Sequence, residues 1–233
     1  MAYNFLPCDR NQVYLLPPSL TDWLPEDHLA WFVLDAVEQI DLSPFYTKYR
    51  TDGVGNSAFH PSMMATLLIY SYCTGERSSR KIEKHCQTDV AYKIVTANQS
   101  PDHSTISRFR KDNQSQLKKL FLEILRLCAE AGLVKLGTVS LDGTKVKTNA
   151  SLSANRTLNQ TELMERKLLT DRGRRLYKIR GQTVEPVFGQ IKDVRGFDRF
   201  MRRGFEACRS EWSLICATHN LLKLWRSGKA CWN

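Results

Sequence analysis

Apolar residues in the first half of the chain recur every three to four positions, which is the spacing of an amphipathic helix. One such run is EDHLAWFVLDAVEQI, residues 26–40, which has acidic residues at its start. A second run is HPSMMATLLIYSYCTG, residues 60–75, which is apolar almost all round, has proline near its start and ends at glycine. We predict two helices here, the second buried at the centre of a helical bundle.

The next stretch predicts two short helices, SSRKIEKHC and DVAYKIVT, followed by a long one within residues 101–133. Asp102 or Ser104 is the expected N-cap of the long helix, and Gly132 its end. The expected core comprises Phe32, Leu67, Leu68, Phe109, Phe121 and Ile124. Two short helices before a basic helix start have the outline of a helix-turn-helix.

Three basic residues lie near the start of this long helix. They are Arg108, Arg110 and Lys111. A DNA-reading helix presents cations at this place, so we predict DNA contacts for all three. An exposed helix start without function has the same composition, and this alternative stays open.

The pattern changes at residues 136–148, LGTVSLDGTKVKT, where apolar and polar residues alternate around Asp-Gly. This pattern predicts a strand or hairpin. Residues 149–182 hold no comparable strand, only a possible basic helix in ELMERKLLTDRGRRLYKI. The chain closes with an amphipathic helix, FEACRSEWSLICATHNLLKLW, so we predict a mainly α fold.

Composition and size narrow the class of protein. The chain has 233 residues, of which 42% are hydrophobic, enough for one large or two small domains with a real core. It has no long apolar run and no basic start followed by an apolar stretch, so we expect no membrane span and a cytoplasmic location. The seven cysteines and five histidines show no ligand spacing, so we expect most cysteines to be core residues.

The net charge of +10 is concentrated in one part of the chain. Residues 156–203 carry 13 Lys and Arg against 6 Asp and Glu. A basic stretch of this density is typical of a nucleic-acid partner, although a solvated basic surface is the simpler alternative. The predicted contacts at its end are Arg195, Arg199, Arg202 and Arg203.

Two carboxylates stand where they could serve chemistry. Asp142 follows a predicted strand directly, and Glu185 precedes Pro186 at a predicted helix start. Two such acids can hold divalent metal ions against a phosphodiester. The alternatives are a turn-forming aspartate and a glutamate that favours a helix dipole.

These segments, in this order, resemble the bacterial insertion-sequence transposases of the DDE class. The resemblance is carried by blocks such as LLPPSLTDWLPEDHLAWFVLD, PDHSTISRFRK, LDGTKVKTNAS and RGQTVEPVFGQIKDVRGFDRFMRRG, and it covers nearly the whole chain. It implies a helical N-terminal domain before an RNase H-like domain that cuts and joins transposon ends with two Mg²⁺ ions. By this resemblance, Asp142 and Glu185 are the first and last catalytic, metal-binding carboxylates.

The same resemblance assigns further DNA contacts. Tyr177, Arg180, Glu185 and Lys192 resemble a Tyr-Arg-Glu-Lys signature of related transposases. The spacing departs from that signature, because four residues instead of three separate Arg180 from Glu185.

The second catalytic aspartate of this family has no place in the sequence. Asp171 is the only aspartate between Asp142 and Glu185, and it lies in a stretch that matches the linker before the glutamate. The intervening residues are too few for further strands and a crossover helix. We therefore predict an internally deleted transposase, with a helical domain at 1–133 and a truncated α/β RNase H-like remnant at 134–233.

Two functions follow from this interpretation. In one, the chain is an insertion-sequence transposase that binds transposon-end DNA; its intact relatives cut and join strands with two Mg²⁺ ions, and this copy is defective in catalysis. In the other, it is a DNA-binding or dimerising remnant that interferes with a full-length transposase. The expected partners are transposon-end DNA and a second copy or full-length relative.

Overall fold

The computed structural model describes residues 19–49, 58–133, 168–183 and 185–230. Within these ranges the chain is helical and contains no β-strand, so the predicted mainly α fold is confirmed. The predicted strand around Asp142 lies outside the described residues. The RNase H-like character of the second half therefore stays a prediction.

The helices of the described ranges are numbered α1 to α10 in chain order. The first seven are α1 (Leu29–Glu38), α2 (Ser43–Tyr46), α3 (Pro61–Cys73), α4 (Ser79–Thr88), α5 (Val90–Val95), α6 (His103–Asp112) and α7 (Gln114–Glu130). The last three are α8 (Asp171–Thr183), α9 (Glu185–Gly189) and α10 (Phe205–Ser227). A 3-10 turn at Leu20–Trp23 precedes α1, and a π-helical turn at Gln190–Val194 continues α9.

Helix α1 begins later than its acidic residues suggested. The ring of His28 accepts a hydrogen bond from the backbone N–H of Ala30 at 3.1 Å, which makes His28 the N-cap. Glu26 and Asp27 consequently precede the helix and do not lie in its first turn. The predicted helix exists, but a histidine supplies its capping acceptor.

The predicted long helix at 101–133 is two helices, α6 and α7, which meet at Asn113. Asn113 leaves the helical region of the backbone, with φ −110° and ψ 30°, and its Nδ2 donates to the carbonyl of Phe109 at 3.0 Å. A short amide side chain that bonds the local backbone offers an alternative to the helical ladder. This competition explains the break, while Asp102 caps α6 as predicted.

Helix α3 is the centre of the core, as its apolar pattern predicted. Leu67, Leu68 and Ile69 are fully buried, as is Ile124 of α7. Phe109 is 6% exposed, whereas the predicted core residues Phe32 and Phe121 are only partly buried and pack against the core.

The core includes residues from both predicted domains. Helix α10 packs along α7 and also contacts α3. Its residues Leu214, Ile215 and Leu221 are at most 1% exposed and belong to the same hydrophobic cluster as the N-terminal helices. The boundary predicted at 133 and 134 separates these helices along the sequence, but α10 completes the core of the first seven.

Candidate nucleic-acid interface

Helix α6 has a well-capped start and carries exposed cations on its solvent side. Asp102 accepts hydrogen bonds from the backbone N–H groups of Ser104 and Thr105 at 2.8 and 2.9 Å, which fixes the helix start. The Ser104 hydroxyl, which also bonds the Asp102 carboxylate, is the main cause of the lowered pKa of that carboxyl. Ile106 and Phe109 face the core. The cap and the apolar face together orient the opposite side of α6 to solvent.

Arg108 and Lys111 lie on this solvent side of α6. Within the described ranges, neither side chain makes a hydrogen bond or an ion pair. Positions three residues apart are neighbours on a helix surface, so the two cations stand side by side. Both predicted DNA contacts are therefore exposed to a polyanion.

Arg110 has a different role from the predicted DNA contact. Its side chain is buried, at 6% exposed. The guanidinium donates to the Tyr72 hydroxyl at 3.3 Å, to the Arg77 carbonyl at 2.8 Å and to the Ser79 hydroxyl. Because the group bonds within the protein, Arg110 joins α6 to α3 and α4 and leaves no face for a phosphate.

Helix α4 adds exposed cations that were not among the residues predicted to contact DNA. It packs on α6, and Glu83 accepts a hydrogen bond from the His103 ring at 2.8 Å across the two helices. Arg80 and Lys84 are exposed one turn apart, while Ile82 faces the core. The amphipathic spacing of SSRKIEKHC was the available signal for this exposed pair. Whether α4 to α6 dock as a helix-turn-helix stays a prediction.

Arg195 is the second predicted DNA contact that turns inward. Its Nη2 donates to the Tyr72 carbonyl and to the Thr218 hydroxyl, both at 2.8 Å. Burial lowers its pKa to about 10. Two guanidinium groups lie against the ring of Phe197, that of Arg195 at 4.6 Å and that of Arg77 at 4.8 Å from the ring centre. This stack anchors the segment after the π-helical turn to α3 and α10.

Arg202 is half-buried and serves the same anchoring. Its backbone N–H, like that of Met201, donates to the Glu211 carboxylate at 3.2 Å or less. Its Nη1 reaches the carbonyl of Arg110 at 3.4 Å, and burial lowers its pKa. Glu211 is 2% exposed, and burial raises its pKa against the opposing effect of these N–H donors and of Arg77. The segment 199–203 is thereby held beside the last turn of α6.

Arg199 and Arg203 are the exposed cations of this held segment. The Arg77 guanidinium donates to the carbonyl of Arg199, which fixes the backbone while the Arg199 side chain stays in solvent. Among the described residues, the guanidinium groups of Arg199 and Arg203 have no hydrogen-bonding partner. These two predicted contacts are thus available on a fixed backbone.

Glu185 is helical and exposed, but the residue before it lies outside the described residues, so the helix start predicted there stays a prediction. Helix α8 precedes α9 in the chain and carries Tyr177, which is 50% exposed, as well as Arg180. The Lys192 ammonium lies 5.9 Å from the centre of the Phe188 ring. The members of the Tyr-Arg-Glu-Lys signature therefore lie on α8, on α9 and on the π-helical turn that follows.

A metal centre is not assembled from the described residues. Within them, no three His, Cys, Asp or Glu side chains come together in a way that could hold a metal ion. Asp142 lies outside the described residues, so its predicted pairing with Glu185 stays a prediction. The described cysteines contribute to packing instead: Cys73, Cys86 and Cys128 are buried, and burial raises the pKa of the Cys86 thiol to about 11.

Comparison with protein families assigns both halves of the chain. A family model described as Transposase domain (DUF772) matches residues 18–112, and one described as Transposase DDE domain matches residues 126–225. Comparison with curated proteins and with solved structures gave no match. None of the helices in the described ranges combines the length and the apolar content needed to cross a membrane. The chain belongs to the insertion-sequence transposases of the DDE class.

Proposed function

We propose that this transposase chain binds the DNA of its transposon ends, in the cytoplasm, through the exposed cations of α4, α6 and the segment 199–203. One observation carries the proposal: the basic residues of α6 differ in whether their side chains face solvent or the protein interior. Arg108 and Lys111 face solvent, whereas Arg110 between them is buried in internal hydrogen bonds. Exposed cations on a capped, rigid helix can contact phosphates with little ordering cost.

The salt dependence of binding tests this proposal. Each phosphate neutralised by Lys or Arg contributes about −0.9 to the slope of log K against log salt. Changing Arg108 and Lys111 together to alanine removes two exposed cations, so the slope should become shallower by about 1.8. The measurement is fluorescence anisotropy of a labelled duplex from the element's own end, at several salt concentrations.

Lys119→Ala is the matched control, because Lys119 is also exposed but lies on α7, away from the proposed contacts. It should leave the slope unchanged. If the double variant keeps the wild-type slope, the cations of α6 are a solvated surface and the proposal fails.

We further propose that this copy does not cut DNA. In intact relatives Mg²⁺ activates the attacking hydroxyl and stabilises the leaving oxygen. Asp171 is the only aspartate between the two predicted ligands Asp142 and Glu185, and it lies in the stretch that matches the linker before the glutamate, so the sequence supplies no second catalytic aspartate. Two carboxylates in place of three would leave the metal ions with incomplete coordination, and hydrated Mg²⁺ would bind weakly. We therefore expect the chain to bind DNA without cleaving it.

A nicking assay tests the catalytic part of the proposal. A supercoiled plasmid that carries the element's ends should stay intact with the purified protein and Mg²⁺ or Mn²⁺. The matched variants are Asp142→Ala and Glu185→Ala. Metal-dependent nicking that both substitutions abolish would refute the proposed defect, because it would require both acids at one working site.

A second copy or a full-length relative is the proposed protein partner. Val194 and Phe205 are the most exposed of the large hydrophobic side chains in the described residues, at 78% and 77%, so a partner contact is tested there first. Sedimentation of the purified chain tests self-association. Phe205→Ser should shift the equilibrium toward the monomer, and a monomer in both proteins would contradict the proposed second copy.

A further inference from the structure

A cavity of about 440 Å³ lies between α3, α6 and the residues that follow α2. Its apolar lining includes Phe59, Met64 and Phe109, and Tyr49 adds a third aromatic ring. The volume falls in the range of about 300–1,000 Å³ that is usual for small-ligand sites. None of the roles described above uses this cavity.

One buried acceptor in the cavity lining is unsatisfied. Asn113 is 3% exposed and lines the cavity. Its Nδ2 donates to the Phe109 carbonyl, but its Oδ1 has no hydrogen-bond partner among the described residues. A buried carbonyl oxygen without a donor costs free energy.

Cations border the same cavity. Arg108, one of the proposed phosphate contacts, lines it together with Lys48. The Lys48 ammonium donates to the carbonyl of Asp112, which holds it at the end of α6. A phosphate bound by Arg108 would therefore stand next to an opening with aromatic walls.

We propose that this cavity takes one unpaired nucleobase from DNA whose backbone is bound at Arg108. The inference rests on the proposed DNA binding. A nucleobase has two apolar faces that stack on aromatic rings, which matches Phe59 and Tyr49 in the cavity lining. The sugar and phosphate of the same nucleotide then lie toward Arg108.

Three short duplexes of the same sequence test the proposal by fluorescence anisotropy. One is fully paired, one carries a single bulged adenine, and one carries an abasic bulge at that position. Stacking of one base on aromatic side chains should make the adenine bulge bind about 5- to 100-fold tighter than the abasic bulge. Equal affinity for the two bulges would overturn the inference.

Variants locate the effect in the cavity. Phe59→Ala should abolish the preference for the adenine bulge, whereas Phe59→Tyr, which keeps the ring, should retain it. Phe121→Ala is the matched control, because Phe121 is also partly buried but lies on α7 outside the cavity lining. A preference that survives Phe59→Ala while thermal unfolding of this variant stays cooperative would overturn the inference.

Two further outcomes show whether the proposed DNA binding or the proposed source of the base is wrong. If no duplex binds with salt-dependent affinity, the proposed DNA binding itself fails. If deoxyadenosine monophosphate binds alone in a manner that depends on Phe59, and the bulged adenine gives no gain over the abasic bulge, the cavity is a free-nucleotide site. That result would overturn DNA as the source of the base.

Discussion

The substitution Arg110→Ala tests whether Arg110 stabilises the fold or contacts DNA. The substitution removes a guanidinium that is 6% exposed and that joins three helices. It leaves the Arg77 carbonyl and the Tyr72 hydroxyl without the donor that they have in the folded chain. It also removes a positive charge that favours the ionised form of buried Glu211.

The magnitude follows from these contacts. Hydrogen bonds to a charged group contribute about 1.5–3 kcal/mol each, and breaking a buried charged network costs about 3–5 kcal/mol in total. We expect Arg110→Ala to lower the free energy of unfolding by about 3–5 kcal/mol. Domains of this kind are stable by about 5–15 kcal/mol, so the variant should remain folded only marginally.

Urea unfolding followed by circular dichroism measures this loss. Arg108→Ala is the matched control, since it removes an exposed arginine two positions away and should change stability by no more than about 0.5 kcal/mol. Arg110→Lys keeps the charge but loses the planar fork of donors, so it should recover only part of the lost stability. A fully stable Arg110→Ala whose DNA-binding slope falls by about 0.9 would refute the internal role of Arg110.

Two further predictions address the core. Leu68→Ala should lower the free energy of unfolding by about 2–5 kcal/mol, because Leu68 is fully buried at the centre of α3; a loss below about 1 kcal/mol in urea unfolding would contradict its burial. Burial lowers the pKa of His219 to about 4, below its value in the unfolded chain, so the stabilising neutral form is fully present above about pH 6.5. Stability should therefore decline as the pH falls from about 6.5 toward 4, and His219→Gln should flatten this decline in urea midpoints measured across that range.

The helices and the core were largely predictable from the sequence, because hydrophobic period and caps decide them locally. The spacing in residues 60–75 predicted the buried centre, and α3 occupies it. The break between α6 and α7 was missed, since the apolar spacing continues through Asn113. Only the local hydrogen bond from the Asn113 side chain marks the break, and this bond depends on the conformation of that residue.

The candidate site was predictable only in part, because sequence shows which residues are basic but not which way they face. Arg108, Arg110 and Lys111 lie within four positions, and helical rotation puts the middle one inside. The burial of Arg195 has a different cause, since its partners on α3 and α10 are far away in sequence. No local pattern identifies a contact between such distant segments.

The orientation of the arginines changes what the net charge says about DNA binding. Counting basic residues treats every Lys and Arg as a potential phosphate contact. Arg77, Arg110 and Arg195 instead donate to backbone carbonyls and side chains inside the protein. Arg77 and Arg195 hold the segment 195–203 against the helical core, and Arg110 joins α6 to α3 and α4. Their charges are desolvated and cannot release counterions from DNA. The salt slope should therefore be smaller than the number of basic residues suggests, and it should follow the exposed cations alone.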